Sequence, residues 1–261
     1  MGTLSEGEIE GFVANGYHRL PAAFPRELAA ACVDALWTLT GVERGAPSTW
    51  IEPVIRVAGS TDPAVVAAIN TERLTSAIDD LVGPGAWKPR RLGFGTFPVR
   101  FPSDVDPGDC GWHIDGSFGN PPAYRVNFRS KGRALLLLML FTDVRPDDAP
   151  TRIKAGSPAD VARALRALDP EGVTFDPWTM APAALERDTH HAIGDAGDVY
   201  LCHPFLVHAA TWPHRGRHAR FVGQPCIHHP QGEWLGEFDY DDTTTDSPVK
   251  RAVREALHSR T

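Results

Sequence analysis

Cysteine is scarce in this chain: four residues, at positions 32, 110, 202 and 226, with no Cys-x-x-Cys pair among them. Neither a zinc knuckle nor a disulfide framework is encoded, so reduced, mostly buried thiols are expected. No window approaches the roughly 18 consecutive apolar residues that a membrane-spanning helix requires. Positive charge is also in deficit, with 26 Lys and Arg against 33 Asp and Glu and a net charge of −7. A general nucleic-acid binder carries a basic face to neutralise phosphates, so that class is disfavoured and no nucleic-acid partner is expected. The opening MGTLSEGEIE lacks the basic and apolar regions of a secretory signal, and Glu6 stands where myristoylation needs a hydroxyl. A cytoplasmic protein without a membrane partner is expected. GFGTF (93–97) lacks the third glycine of a dinucleotide fingerprint, and neither a Walker lysine nor a Gly-x-Ser-x-Gly elbow occurs.

What is present is ordinary globular material, 42% hydrophobic and 23% charged over 261 residues, without internal repeats or a long linker. A single domain is expected, with a helical layer over 1–90, a β core over 91–230 and a C-terminal extension over 231–261. SEGEIEGFVANG has a Ser5 cap and stops at Gly16, and apolar residues recur at three- and four-residue spacing in 25–39 and 62–82. From Arg91 onward short apolar or alternating runs are punctuated by Pro, Gly and Asp, the pattern of a sandwich or barrel. Strands are predicted near 91–101, 111–115, 133–142, 151–155, 188–193, 197–203, 206–212 and 218–228. RALLLLMLF is uninterrupted, as a strand covered on both faces can be. A helix over 157–168 is predicted to be capped by Ser157, with Pro158 at its first position.

The chemistry concentrates in CGWHIDGSF (110–118). On a strand His113 and Asp115 share one face, whereas a helix would separate them by about 200°. A His-x-Asp pair alone is common, but a later strand carries His208, followed by the small residues Ala209 and Ala210. His113, Asp115 and His208 would compose the two-histidine, one-carboxylate facial triad that holds non-haem Fe(II) and leaves the opposite positions open. Twelve residues beyond His208 lies Arg220, which shares a strand face with Val222 and Gln224. A guanidinium fork there suits a carboxylate.

Other residues compete for these roles. His203 precedes a proline and is assigned a structural part, while His214 and His218 flank the turn HRGR and are expected in solvent, as are Arg215 and Arg217. Arg217 remains the rival to Arg220, and Thr151 either touches a cosubstrate or packs. The segment 118–133 would overhang the site and makes Phe118, Asn120, Tyr124, Arg125 and Arg129 candidates for substrate contact, together with Gln224. HHPQGEWLGEFDYDD could cover the opening with Trp234 and Phe238, or pack on the helices.

Four segments in order resemble the phytanoyl-CoA dioxygenase family of Fe(II)/2-oxoglutarate-dependent oxygenases: FVANGYHRLPAAFPRELAAA, WHIDGS, LFTDVRPDDAPTRIKAGS and GDVYLCHPFLVHAA. The resemblance implies a double-stranded β-helix, a cupin-like jelly roll with flanking helices. It implies Fe(II) at His113, Asp115 and His208, and 2-oxoglutarate and O2 as cosubstrates, with Arg220 on the distal carboxylate. Oxidation of a C–H bond of a small organic substrate, with release of succinate and CO2, would follow. Pro158 and Ala210 depart from the family's usual His and small hydroxyl, an Asn near Pro213 is missing, and the spacing to Arg220 is one residue longer. A non-catalytic cupin-like binding module, or a metal-dependent enzyme that does not oxidise, would share the fold; an inward arginine beside the triad favours the oxygenase.

Overall fold

A computed structural model describes residues 2–89, 95–116, 118–119, 124–168, 171–231, 234–235, 238–241, 243–244 and 246–258. In chain order the helices are α1 (Glu6–Asn15), α2 (Arg26–Trp37), α3 (Pro63–Ile69), α4 (Glu72–Val82), α5 (Ser157–Arg166), α6 (Pro177–Met180), α7 (Pro182–Glu186) and α8 (Pro248–His258). The strands are β1 (Tyr17–Leu20), β2 (Val54–Val57), β3 (Phe97–Arg100), β4 (Leu135–Leu140), β5 (Arg152–Lys154), β6 (Thr189–His191), β7 (Val199–Cys202), β8 (His208–Ala209), β9 (Val222–Gly223), β10 (Cys226–Ile227), β11 (Pro230–Gln231) and β12 (Trp234–Leu235).

The larger sheet runs β1-β7-β4-β10, with β9 also paired to β4, and a smaller sheet runs β6-β5-β8. All their pairings are antiparallel. This is the expected jelly roll, and the apolar run at its centre explains itself in the packing. Leu136, Leu138 and Leu140 of β4 join Ile153 of β5 and Ala192, just past β6, in one core. Leu135, Leu137 and Met139 face the other way, into the core shared with α2, α4 and α5. Neither face of β4 meets water, so neither needs a polar side chain.

The helical layer forms as the spacing predicts, with differences. Ser5 caps α1 in a reciprocal capping box with Glu8. The periodic stretch 62–82 is two helices, because Asn70 ends α3 and the Thr71 side chain accepts from the Leu74 N–H to start α4. The helix at 157 does not use Ser157 as its cap. Gly156 takes that position at a φ of 78°, and the Ser157 hydroxyl instead accepts from the Val207 N–H at 2.9 Å, tying the helix start to the residue before His208. Two strands lie within the predicted helical layer: β1 extends the large sheet beside β7, and β2 pairs with β3. At four residues each they are too short for alternation to announce them. The strand predicted over 111–115 is reduced to a single bridge, His113 to His208, and that over 218–228 is split into β9 and β10. In the C-terminal extension α8 packs on α1, α4 and α5, and Phe238 is buried against Tyr240 and His229 and not over an opening. The side chain of Trp234 and the whole of Asn120 lie outside the described residues.

His203 has the structural role expected of it. Fully buried, it accepts from the Phe205 N–H at 3.0 Å and its Nε2 lies 3.2 Å from the Val249 carbonyl, linking the β core to α8. Burial pushes its pKa down to about 3, and burial likewise takes His229 to about 4. Both sit below the ordinary histidine value near 6.5. The unfolded chain therefore takes up protons that the native state refuses, and stability present above about pH 6.5 is lost as pH falls towards these values. Urea denaturation between pH 7.5 and 5 should show stability falling by up to about 1.4 kcal/mol per pH unit for each such histidine. His203→Asn should flatten that slope, and an unchanged slope would remove His203 from the explanation.

Candidate active site

An isolated antiparallel bridge sets His113 opposite His208 of β8, at the edge of the smaller sheet. Their main chains exchange hydrogen bonds of 3.0 and 2.9 Å, which sets both side chains on one face. The rings lie 4.5 Å apart between centroids. Each Nδ1 is held by a carbonyl two residues earlier, His113 on Gly111 at 2.9 Å and His208 on Leu206 at 3.0 Å. A carbonyl only accepts, so each Nδ1 carries the proton and each Nε2 presents a lone pair. Asp115 Oδ1 lies 3.5 Å from His113 Nε2 and 3.7 Å from His208 Nε2. One ligand atom from each of the three falls within 4.8 Å of the others, the sole such cluster among the described residues. Two imidazoles and a carboxylate gathered at one point are the donor set that non-haem Fe(II) takes; burial opposes protonation of His113, but the facing Asp115 outweighs it and raises its pKa.

The electrostatics keep these donors available. Burial would raise the pKa of Asp115, but Arg133, His208 and His113 together hold it well below the usual carboxylate range. Burial takes His208 down to about 4 against the pull of Asp115, so it is neutral at pH 7. Arg133 carries no motif in the sequence beyond preceding an apolar run, yet it is buried directly behind the triad. Its Nη1 and Nη2 each donate at 3.0 Å, to the carbonyls of Asp115 and Gly116, and Nη1 lies 3.5 Å from Asp115 Oδ2. One guanidinium thus fixes both the backbone and the carboxylate of the third donor.

A cavity of about 310 Å³ opens beside the triad and is lined by His113, His208, Thr151, Ala210, Arg220 and Gln224, with Arg56, Arg100 and Asp109 on another side. Arg220 is 3% exposed, donates from Nη1 to the Ala149 carbonyl and leaves Nε without a partner. Burial and the nearby Arg100 push its pKa down to about 9. Arg217 is exposed on its turn and does not line the cavity. Thr151 is buried; the β5–β8 register, with Arg152 opposite Ala209, places it across from Ala210 at the cavity wall. His214, expected in solvent, is 5% exposed because its main chain pairs with Ser103.

Of the predicted substrate residues within the described segments, Gln224 lines the cavity and Phe118, Tyr124, Arg125 and Arg129 do not. Phe118 is half-buried and bridged to Arg125, with the Lys131 ammonium 5.2 Å from its ring. Tyr124, Arg125 and Arg129 are exposed. This loop nevertheless packs on the segment that carries His113 and Asp115: a Cβ on Gly116 would lie 2.4 Å from the Tyr124 Cβ, so only glycine lets the two chains meet there.

Jelly roll, donor triad and buried arginine define a non-haem oxygenase of the Fe(II)/2-oxoglutarate type. The model of the family Phytanoyl-CoA dioxygenase (PhyH) matches residues 57–222, and the chain belongs to that family. Three solved structures share its fold. The epimerase SnoN from nogalamycin biosynthesis is 14% identical, with 85% of this chain and 82% of that one covered at a TM-score of 0.57. EctD from S. alaskensis, with 2-oxoglutarate and 5-hydroxyectoine, is 16% identical (87% and 76% covered, TM-score 0.54). HygX from Streptomyces hygroscopicus, with nickel, 2-oxoglutarate and hygromycin B bound, is 15% identical (88% of each chain, TM-score 0.56). No curated protein sequence matches the chain. No helix among the described residues is long and apolar enough to cross a membrane.

The geometry generates an ordered set of iron affinities. His113→Ala or His208→Ala should abolish stoichiometric Fe(II) binding in anaerobic calorimetry without unfolding the chain. Arg133→Gln should weaken it by about tenfold or more, the usual effect of removing a group that orients a ligand. Unchanged affinity in both histidine variants would refute the triad.

Proposed function

We propose that the whole chain works as one cytoplasmic oxygenase domain that oxidises a C–H bond of a small organic molecule, hydroxylation being the expected outcome, and converts 2-oxoglutarate and O2 to succinate and CO2. The observation that carries this reading is a donor triad whose two histidines line one cavity with a buried, under-bonded Arg220, Asp115 closing the triad from behind them. His113, Asp115 and His208 would hold Fe(II), which when bound with 2-oxoglutarate and O2 supplies the oxidising power. Arg220 would pair with the distal carboxylate, with the Thr151 hydroxyl available beside it, and Gln224 would face the substrate. Nδ1 protons committed to Gly111 and Leu206 keep both Nε2 atoms as donors, and Arg133 keeps Asp115 ionised and in place. The net charge of −7 favours a small-molecule substrate over nucleic acid.

Anaerobic addition of Fe(II) and 2-oxoglutarate should produce the weak visible charge-transfer band of a chelated keto acid. Arg220→Ala should raise the 2-oxoglutarate concentration needed for that band by about a hundredfold, since truncating one partner of a buried pair costs on the order of 3 kcal/mol. Iron binding should survive. Arg217→Ala should change it by less than about threefold, in line with the ~1 kcal/mol ceiling for surface charges. The reverse ranking would make Arg217 the anchor, and no band at all in the unmodified protein would refute the 2-oxoglutarate assignment.

A further inference from the structure

A second guanidinium, with no sequence motif to mark it, enters the cavity beside Arg220. Arg100 ends β3, and its main chain exchanges hydrogen bonds of 3.0 and 2.8 Å with that of Arg220. A mutually bonded antiparallel pair projects both side chains to the same face. Both line the cavity, and they are 4% and 3% exposed. Like charges directly opposite on paired strands are destabilising, and a buried cation needs an anion. Asp109 is the only carboxylate among the described lining residues, and it accepts from Arg100 Nη2 at 2.7 and 2.8 Å. It is also shared with Arg56, whose side chain is half exposed at the rim. Arg220 has only the neutral Ala149 carbonyl as a side-chain partner, and Nε of both arginines is unpartnered among the described residues. Two buried cations thus share one part-buried carboxylate, and the described lining carries more positive than negative charge.

Building on the 2-oxoglutarate reading above, we propose that Arg100 and Arg220 act as a pair on the distal carboxylate, Asp109 holding Arg100 in place, so that Arg100 is a second cosubstrate-binding residue. The carboxylate brings the buried charge of Arg100, Arg220 and Asp109 to zero. It also turns a cross-strand repulsion into a shared attraction, which makes the site selective for keto acids that carry the second carboxylate.

The test uses the full chain with Fe(II) under anaerobic conditions and two probes: 2-oxoglutarate, and 2-oxopentanoate, which chelates equally but lacks the distal carboxylate. Arg100→Gln combined with Asp109→Asn removes both partners, so no buried carboxylate is left unpaired. This variant should bind 2-oxoglutarate about tenfold or more weakly, the scale of a hydrogen bond to a charged group. Its affinities for 2-oxopentanoate and Fe(II) should stay within about threefold of the unmodified protein's. Should it fail to fold, Arg100→Lys keeps the charge, loses the fork and should show the same selective loss at about threefold or more. Equal losses for both probes would make Arg100 structural, and no loss for 2-oxoglutarate would leave it serving Asp109 alone; either overturns the proposal. Failure of the underlying reading looks different: neither keto acid then gives a charge-transfer band with the unmodified protein.

Discussion

Two main-chain hydrogen bonds between His113 and His208 are the contact on which the rest of the site depends. They are made by residues 95 positions apart in the chain, and they bring two imidazoles to one face of a β bridge at a separation that one ion can span. The bridge is not part of a long strand, so its geometry is held from outside. Ser157, at the start of α5, holds the Val207 N–H, Arg133 grips the backbone at Asp115 and Gly116, and the carbonyls of Gly111 and Leu206 orient the rings. Short irregular segments can place donors because rigid neighbours satisfy their polar groups.

Buried charge is the second organising feature. Arg133, Arg100 and Arg220 are each at most 5% exposed, and the Nε of each has no partner among the described residues. A guanidinium removed from water is costly unless an anion compensates it. Arg133 has Asp115 and Arg100 has Asp109, but among the described residues the Arg220 side chain hydrogen-bonds to a carbonyl alone. The imbalance is localised beside the metal donors, which is where an anionic cosubstrate would be needed. An uncompensated guanidinium there costs stability, which a bound carboxylate would return.

The scaffold that carries these charges is apolar on both sides of its central strand. β4 lies between the inter-sheet core and the helical core, so it cannot shift register by one residue without exchanging the two sets of leucines. Arg133 sits two residues before β4, and the rigidity of that strand fixes where its guanidinium reaches. Outer packing by α5 and α8 closes the far side, with His203 bonded across to Val249.

Much of this was legible in the chain itself. Period-two and period-3.6 patterns marked α1 to α5 and most strands of the two sheets, because those periodicities are direct consequences of which face is buried, whereas α6, α7 and α8 were not read. His113, Asp115, His208 and Arg220 could be named from strand parity and order. Short edge strands such as β1 and β2 left no signal, since four residues are too few to show alternation. A cap such as Thr71 could not be told from any other polar residue in a periodic stretch. Arg133, Arg100 and Asp109 were invisible for a different reason: nothing in their local sequence distinguishes them from surface charges. Their roles exist only because strands distant in sequence set them against Asp115 and Arg220. Covalent order determined which donors the chain owns. The tertiary structure alone decided which charges are buried together, because burial and pairing are properties of the packed sheets and not of any one segment.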